Sequence, residues 1–376
     1  MKILFTGGGT GGHFYPIIAV VQAIQKIAEE QKYVGIELYF MSDDEYNKRA
    51  LFENHVTFVK APAGKNRVYF SLKNILDYFK TGIGLISATW KLYALFPDVI
   101  FAKGGYASFP ALFAAKLLKI PVVLHESDSV PGRVNEWAGK FAQYIGVSYA
   151  EAASYFPKDR VAVTGNPVRS ELIDPITTGA REFFDAEVGI PIIYVTGGST
   201  GAMNINDVIL DVLPDLIRKY TIVHQVGKVN YEDIKGRANV LIDRMPEKNR
   251  YKIYDYLDVS AERMIAGTCS LVISRAGSTI FEISAWGVPS IIIPIPKENS
   301  HGDHQRRNAY NYAASGGAVV IEEKNLAPHI LLSEIDRILS SIALQEEMRR
   351  GAKKFFEPNA ASKIAGALIS IGLEHE

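Results

Sequence analysis

The sequence is poor in cysteine and has no excess charge of either sign. Its 376 residues include one cysteine, Cys269, which excludes an internal disulfide framework and a zinc site built from several cysteines. The 41 basic side chains are balanced by 41 acidic ones, so no global basic surface suggests a nucleic-acid partner. Neither a signal peptide nor a membrane-spanning helix is expected, because glycine, proline or polar residues interrupt the apolar stretches.

Apolar residues are plentiful and occur in a repeating order. They make up 48% of the chain, which is ample for packed cores. Short apolar runs alternate with longer amphipathic patterns, which is typical of βαβ units on a parallel sheet. We therefore predict an α/β fold with strands at Lys2–Phe5, Glu37–Met41, Thr57–Lys60, Val99–Ala102, Val122–Leu124, Tyr144–Val147, Ile192–Val195, Thr221–Gln225, Tyr251–Tyr254, Leu271–Ser274, Ser290–Ile293 and Ala318–Ile321.

One short pattern occurs twice. Residues 3–8 read Ile-Leu-Phe-Thr-Gly-Gly, and residues 193–198 read Ile-Tyr-Val-Thr-Gly-Gly. Each copy ends an apolar strand and precedes an amphipathic helix, as at Pro16–Glu30 and Asn204–Lys219, so each is predicted to begin a doubly wound domain. Proline and glycine at 165–167 favour a junction there. We expect domains at 1–165 and 166–357, and a C-terminal helix within 358–376 that packs back on the first domain.

Both repeated turns lead into glycine-rich loops. Thr-Gly-Gly-Gly-Thr-Gly-Gly-His at 6–13 can expose N–H groups to an anion at a helix N-terminus, but it lacks the Gly-Lys-Ser/Thr ending of a P-loop. His13 is a candidate general base, since imidazole titrates at about 6.5; a structural histidine is the alternative. In the second loop, Ser199 could bind a phosphate or cap the helix.

Polar segments follow several other predicted strands. They are Lys103–Pro110, His125–Asp128, Ser274–Glu282 and Gly302–Ala309. Open α/β sheets bind ligands at the carboxyl ends of their strands, so these segments are candidate site elements. The sequence has no convincing Asp-x-Asp motif, and we expect no metal site.

Residues 65–91 combine aromatic and basic side chains with a single acid, Asp77. Such a stretch suits an anionic membrane interface, whereas the alternative is an ordinary helix pair that buries its apolar residues. Residues 1–165 hold 18 basic and 14 acidic side chains, a small excess that chance would also explain. The candidate interface residues are Phe70, Lys73, Phe79, Lys80, Trp90 and Lys91.

Seven segments occur together in the order in which one enzyme family has them: Thr10–His13, Lys103–Tyr106, His125–Glu126, Gly165–Arg169, Gly197–Ser199, Ser274–Gly277 and Asp303–Gln305. Over essentially its whole length the chain resembles the MurG-type N-acetylglucosaminyl transferases of bacterial peptidoglycan synthesis. The resemblance implies a GT-B fold of two Rossmann-like domains facing a cleft. It also implies an inverting transfer of GlcNAc from UDP-GlcNAc to the 4-hydroxyl of MurNAc in undecaprenyl-linked lipid I, which gives lipid II.

The resemblance further implies a donor site. In it Ser199 would bind the diphosphate, Glu282 the ribose, and the backbone of Leu257 the uracil, while Gln305 would bind GlcNAc. The implied donor-binding residues are Thr10, Gly11, Gly12, Asp128, Arg169, Ser199, Leu257, Arg275, Glu282, His304 and Gln305.

The catalytic residues that we expect are His13 as the base and Glu126 as the reserve candidate, and His13 could instead orient the lipid pyrophosphate. The chain departs from the family at Ser127 and Asp128, where Gln-Asn is usual. A carboxylate accepts hydrogen bonds from hydroxyls but cannot donate while ionised, so the contact of Asp128 with the donor changes character.

The expected partners are UDP-GlcNAc, lipid I, the anionic inner leaflet and other cell-wall synthesis proteins. The expected location is the cytoplasmic face of the plasma membrane, with no cofactor and no nucleic acid. Two alternatives stay open. One is another two-domain nucleotide-sugar enzyme, such as a UDP-GlcNAc 2-epimerase or a glycolipid transferase. The other is a non-catalytic nucleotide-binding scaffold.

Overall fold

Two parallel sheets organise the chain. The computed structural model describes residues 1–64, 73–198, 201–299 and 303–374. The chain divides into a first unit, Met1–Arg169 with Glu357–Glu376, and a second unit, Ser170–Phe356.

Within its described residues, the first unit contains a seven-stranded sheet and six α-helices. Its strands are β1 (Lys2–Thr6), β2 (Glu37–Ser42), β3 (Val56–Lys60), β4 (Val99–Ala102), β5 (Val122–Glu126), β6 (Tyr144–Val147) and β7 (Val161–Val163). Its helices are α1 (Gly11–Gln31), α2 (Lys48–Glu53), α3 (Lys73–Leu95), α4 (Phe109–Leu118), α5 (Arg133–Ala138) and the last helix of the chain, α15 (Ala360–Leu373).

The second unit contains a six-stranded sheet. Its strands are β8 (Ile192–Thr196), β9 (Thr221–Gln225), β10 (Tyr251–Tyr254), β11 (Leu271–Ser274), β12 (Ser290–Ile292) and β13 (Ala318–Val320). Its helices are α6 (Ser170–Ile173), α7 (Ala180–Phe183), α8 (Met203–Lys219), α9 (Tyr231–Ile242), α10 (Val259–Thr268), α11 (Thr279–Trp286), α12 (His304–Ala313), α13 (Pro328–Leu339) and α14 (Ile342–Phe355).

The two sheets share one topology. Their strand orders are β3-β2-β1-β4-β5-β6-β7 and β10-β9-β8-β11-β12-β13, and every pairing is parallel. β1 and β8, which carry the repeated pattern, occupy equivalent positions beside the point where the strand order reverses. Ligands bind at such points in open α/β sheets. The predicted pair of doubly wound domains is confirmed.

Strand residues of the first sheet are buried on both of its faces, as parallel sheets require. In β1, Ile3 and Phe5 pack toward α1 and α15, whereas Leu4 packs into the core under α3 and α4. All three are 0% exposed. The last helix adds Ile364 and Leu368 to the α1 side of this core.

All twelve predicted strands are present, with ends that differ by at most one or two residues. The additional strand, β7, is short and partly exposed, so it lacks the apolar run by which the others were predicted. α1 begins at Gly11 rather than at Pro16, which lies inside the helix. The fully buried Phe14 ring packs on Phe40, at 5.5 Å between ring centroids, and holds this first turn in place.

The first unit extends four residues beyond the expected boundary at 165. Asn166 binds the side chain of Lys103, and the guanidinium carbon of Arg169 lies 4.0 Å from the ring centroid of Tyr15. Both contacts hold this segment on the first unit. The chain returns to the first unit at Glu357 and passes directly over Gly165. A Cβ on this glycine would lie 2.5 Å from Cβ of Glu357.

The amphiphilic stretch forms one helix from Lys73 onward, α3, rather than a buried pair. Residues 65–72, including Phe70, lie outside the described residues, and of Lys73 the backbone alone is described. Among the described helices, none has the length and apolar character that a membrane crossing demands.

The packing of α15 makes a testable prediction. Leu368 is 0% exposed, whereas Leu373 on the same helix is 44% exposed. Leu368→Ala should lower the free energy of unfolding by about 2–5 kcal/mol, because it leaves a cavity in the core. Urea denaturation of the full-length protein measures this, with Leu373→Ala as the control. Equal effects of the two substitutions would contradict the packing.

Candidate active site

The carboxyl edge of the first sheet begins with the glycine loop between β1 and α1. Gly8 and Gly9 adopt φ values of 147° and 85°, which side-chain-bearing residues rarely accept. A Cβ on Gly9 would lie 2.7 Å from the ring of Tyr106, so this loop packs closely on the loop after β4. Because α1 begins at Gly11, its first-turn N–H groups lie at this edge and can attract an anion.

His13 lies in the first turn of α1 and is partly exposed. Its Nδ1 is 2.8 Å from the hydroxyl oxygen of Thr10. A Cβ on Gly105 would lie 3.7 Å from the imidazole ring, so the glycines after β4 pack against the face of His13. When Nδ1 carries the proton and donates to Thr10, the lone pair is on Nε2, which is the arrangement that a general base needs.

Glu126 ends β5 and is 5% exposed. Its carboxylate accepts hydrogen bonds from Nδ2 of Asn135 at 2.7 Å, from the backbone N–H of Asp128 at 2.9 Å, and from that of Gly132 at 3.2 Å. Burial raises the pKa of Glu126, and the charge of Asp128 adds to the rise. These bonds close the loop between β5 and α5, so the described contacts of Glu126 are structural.

A buried polar network lies beside this loop. The ammonium of Lys103, 1% exposed, contacts His125, Ser127 and Asn166. Burial lowers the pKa of His125 well below its usual value, and the charge of Lys103 lowers it further, so the imidazole is neutral. His125 is therefore part of the packed interior of the first unit.

Two expected donor contacts of the first unit differ in exposure. Asp128 is partly exposed in the β5–α5 loop. Arg169 is 4% exposed, and its guanidinium stacks on Tyr15 of α1. We expected Arg169 in the second domain, but these contacts place it in the first unit.

In the second unit, the repeated Thr-Gly-Gly turn joins the central strand to its neighbour. The hydroxyl oxygen of Thr196 accepts hydrogen bonds from the Gly198 N–H at 3.1 Å and from Nε2 of Gln225 at 3.3 Å. In the first unit the matching Thr6 hydroxyl donates to the carbonyl of Met41 at 2.9 Å. Ser199 lies outside the described residues, and α8 begins shortly afterwards at Met203.

The residues expected around uracil are engaged with the protein. The N–H of Leu257 donates to Oε1 of Gln225 at 2.9 Å, so this amide is already bonded. Arg275 pairs with Glu323, with 2.5 Å between Nη1 and Oε2, and donates to the carbonyl of Ile293 at 3.2 Å. The hydrogen bond to Gln225 therefore fixes the Leu257 backbone, and the ion pair with Glu323 fixes the Arg275 side chain.

The remaining expected donor contacts lie at two helix starts. Glu282 is in the first turn of α11 and is partly exposed. His304 begins α12, and Oε1 of Gln305 accepts a hydrogen bond from the Ile295 N–H at 3.2 Å, which fixes the orientation of its amide. A cavity of about 230 Å³ lies nearby, lined by Pro294, Ile295, Pro296, Lys297, Glu298, Arg306, Glu322, Glu323 and Lys324.

Within the part of the chain that the structure describes, no cluster of three or more His, Cys, Asp or Glu side chains could hold a metal ion. The polar groups at the two carboxyl edges are loop hydroxyls, amides and helix N-termini, together with the partly exposed side chains of His13, Asp128 and Glu282.

The outer face of α3 carries an apolar stripe. Its members recur at helical spacing and are 62–71% exposed: Phe79, Ile83, Ile86, Trp90 and Tyr93. The expected basic partners are partly engaged elsewhere, since Lys80 pairs with Asp43 at 3.7 Å and Lys91 donates to the carbonyl of Lys60. Asp43 also accepts a hydrogen bond from the Tyr106 hydroxyl at 3.2 Å, so its carboxylate connects the end of β2 with the loop after β4.

Sequence reasoning missed four residues that shape these sites. Each of the four holds an expected site residue: Asn135 lies nine positions from its partner, whereas Gln225, Glu323 and Tyr15 contact partners far away along the chain. Their position as polar residues near strand ends was the available signal. Sequence spacing alone does not show which of these residues contact each other.

Comparisons with known proteins agree with this geometry. The model of the glycosyltransferase family 28 N-terminal domain matches residues 3–147, and that of the family 28 C-terminal domain matches residues 192–364. The chain is 33% identical over 374 residues to the UDP-N-acetylglucosamine--N-acetylmuramyl-(pentapeptide) pyrophosphoryl-undecaprenol N-acetylglucosamine transferase of Treponema denticola, covering 97% of the chain and 94% of the relative. A Bacillus thuringiensis transferase of the same description is 36% identical over 338 residues, covering 90% and 91%.

Solved structures show the same fold. MurG of Acinetobacter baumannii superposes with a TM-score of 0.71 at 23% identity, covering 98% of this chain and 99% of that one. The UDP complex of S. aureus MnaA gives 0.72 at 15% identity, covering 100% and 98%. Two doubly wound sheets of this topology constitute the GT-B fold. The chain belongs to glycosyltransferase family 28 and, within it, to the MurG-type N-acetylglucosaminyl transferases.

Proposed function

We propose that this protein transfers GlcNAc from UDP-GlcNAc to the 4-hydroxyl of MurNAc in undecaprenyl-pyrophosphoryl-MurNAc-pentapeptide, the reaction that forms lipid II in bacterial peptidoglycan synthesis. The observation that carries the proposal is the identity of 31–36% with transferases of that description over at least 90% of the chain. The Gly-Gly-His loop and the polar residues that follow the strands provide groups suited to this transfer reaction.

On the donor side, Ser199 and the N-terminus of α8 bind the diphosphate, since N–H groups and the helix dipole favour negative charge. Glu282 accepts hydrogen bonds from the ribose hydroxyls. Gln305 presents its NH₂ group to GlcNAc, because its oxygen is bonded to Ile295. Arg275, fixed by Glu323, borders the uracil.

On the acceptor side, His13 removes the proton of the attacking hydroxyl. Inversion requires that hydroxyl to attack the anomeric carbon opposite the departing UDP, so the base must stand on the acceptor side. Thr10 holds the imidazole by the hydrogen bond to its Nδ1, and Gly105 leaves room beside the ring. Glu126 closes the loop that presents Asp128 to the donor, and the Asp128 carboxylate accepts a hydrogen bond from a hydroxyl of the donor sugar.

The α3 stripe docks on the anionic inner leaflet, where the lipid-linked acceptor resides. Aromatic and aliphatic side chains exposed in one row on a helix suit the interface of a bilayer. The protein is thus a peripheral one on the cytoplasmic face.

Product analysis tests the reaction itself. UDP should be released from UDP-GlcNAc when a short-chain lipid I analogue is present, with a disaccharide product. Formation of UDP-ManNAc without an acceptor would indicate an epimerase instead. Binding of UDP-GlcNAc without turnover would indicate a scaffold.

The ribose contact predicts the effect of Glu282→Ala. Loss of a charged hydrogen-bond partner costs about 1.5–3 kcal/mol, so UDP should bind roughly 10- to 100-fold more weakly. Calorimetry with UDP measures this, and Glu347→Ala, an exposed glutamate of the same unit, serves as the control. Wild-type affinity of the Glu282 variant would remove this residue from the ribose site.

The role of the base predicts the effect of His13→Ala. Turnover should fall by about 10²–10⁴-fold, while the affinity for UDP-GlcNAc stays near that of the wild type. The fall of activity toward acidic pH should also disappear, since a base works only while neutral. His329→Ala, an exposed histidine, is the control. Turnover within a few-fold of wild type would shift the assignment to Glu126.

The α3 stripe predicts membrane binding. Phe79→Ser with Trp90→Ser should abolish most co-sedimentation with phosphatidylglycerol vesicles, because both side chains are about 70% exposed. Val229→Ser, 92% exposed on the second unit, is the matched control. Wild-type binding should weaken with salt, as charge attraction is screened over about 8–10 Å. Unchanged sedimentation of the double variant would rule out this surface.

A further inference from the structure

The ammonium of Lys103 is buried at the carboxyl edge of the first sheet and has three bonding partners. Its Nζ lies 2.9 Å from Oδ1 of Asn166, and 2.5 Å from both Nδ1 of His125 and Oγ of Ser127. Lysine is almost never this deeply buried unless its charge is compensated. Its presence at this depth therefore calls for an explanation beyond packing.

The three partners match the three N–H bonds of a charged ammonium. His125 donates from Nε2 to the carbonyl of Gly165 at 2.9 Å, so the lone pair of its Nδ1 faces Lys103. The Ser127 hydroxyl donates its own hydrogen to Asn166 at 3.3 Å, which leaves its oxygen to accept from Lys103. A neutral amine has two N–H bonds and would leave one acceptor unpaired.

These bonds join the ends of four strands. Lys103 follows β4, and its backbone N–H donates to the carbonyl of Thr6 at the end of β1, at 2.9 Å. His125 and Ser127 lie at the end of β5, and Asn166 lies in the segment after β7. The Lys103 side chain thus connects the loop after β4 with the end of β5 and the segment after β7, while its backbone N–H bonds to β1.

The loops it joins border two proposed functional residues, His13 on the acceptor side and Asp128 at the donor sugar. Gly105, two residues on, packs against the ring of His13. A Cβ on Gly104 would lie 2.4 Å from Oδ1 of Asn135, whose amide nitrogen holds Glu126. A shift of Lys103 would therefore displace both the surroundings of His13 and the loop that presents Asp128.

Several titratable groups surround Lys103. Burial lowers its pKa to about 7, although the charges of Glu126 and Asp128 from the β5–α5 loop oppose the decrease. His125 is neutral in contact with it. Across the adjoining loops lie His13 on α1 and Asp43 after β2, which is bonded to Tyr106.

We propose that Lys103 is a positioning residue for the transfer reaction: its ammonium fixes the Gly104–Gly105 loop beside His13 and the Glu126–Asp128 loop that presents Asp128 to the donor sugar. The proposal rests on the proposed function. At Ser127, where the family usually has glutamine, the serine oxygen accepts one of the three hydrogen bonds of the ammonium. Loss of the ammonium proton breaks one bond of the network and lowers turnover.

The test compares pH profiles of kcat for the full-length wild type, Lys103→Met and Ser127→Ala, with UDP-GlcNAc and a short-chain lipid I analogue. Wild-type kcat should fall as the pH rises through about 7, with a limb distinct from the acidic one of His13. In Lys103→Met, kcat should be at least 10-fold lower near pH 6 and the alkaline limb absent, while the UDP affinity measured by calorimetry stays within about 2-fold. The exposed Lys140→Met is the control and should keep the wild-type profile.

Ser127→Ala keeps the test valid even if Lys103→Met does not fold. With one acceptor fewer, the ammonium is less stabilised, so the alkaline limb should move to lower pH. An alkaline limb that is unmoved in Ser127→Ala would overturn the proposal, as would one that persists in a folded Lys103→Met. Absence of product with the wild-type protein would instead contradict the proposed function, so the two failures are distinguishable.

Discussion

Helices cover both faces of the two parallel sheets, so a polar side chain on a strand must either find a partner or stand at a strand end. Most of the titratable and hydroxyl-bearing residues discussed above follow this constraint. Thr6 and Thr196 end the central strands, and their hydroxyls form hydrogen bonds with neighbouring segments. His125 and Glu126 end β5 and are fully bonded. The side chains available to substrates follow the strand ends along the chain, in loops and in the first turns of helices.

The same constraint explains why Lys103 and Glu126 of the first unit each lie in a network of hydrogen bonds. Glu126 and Lys103 are both removed from water, and each alone would be costly to bury. Together with the N–H donors around Glu126 and the acceptors around Lys103, they form a set in which every described charge is compensated. The second unit has no such requirement at Arg275, because Glu323 pairs with it directly.

Sequence patterns predicted the strands well, since buried parallel strands consist of unbroken apolar runs. They did not predict β7, a three-residue edge strand with Val163 about half exposed. They also began α1 too late, because Pro16 suggested a helix start whereas packing of Phe14 decides it. Segments that end strands were recognised as site elements. The burial of Lys103 could not be foreseen, because lysine is normally exposed and its three partners come from distant segments.

The return of α15 to the first unit has a consequence for the order of folding. In terms of chain connectivity the second unit is an insertion within the first, and Ile364 and Leu368 are needed to complete the core against α1. During synthesis, the inserted unit is made in full before these residues emerge. The second unit can therefore fold on the ribosome first, although domains generally fold from the N-terminal end. The unit that holds His13 and Lys103 therefore becomes complete only after the whole of the second unit has been translated.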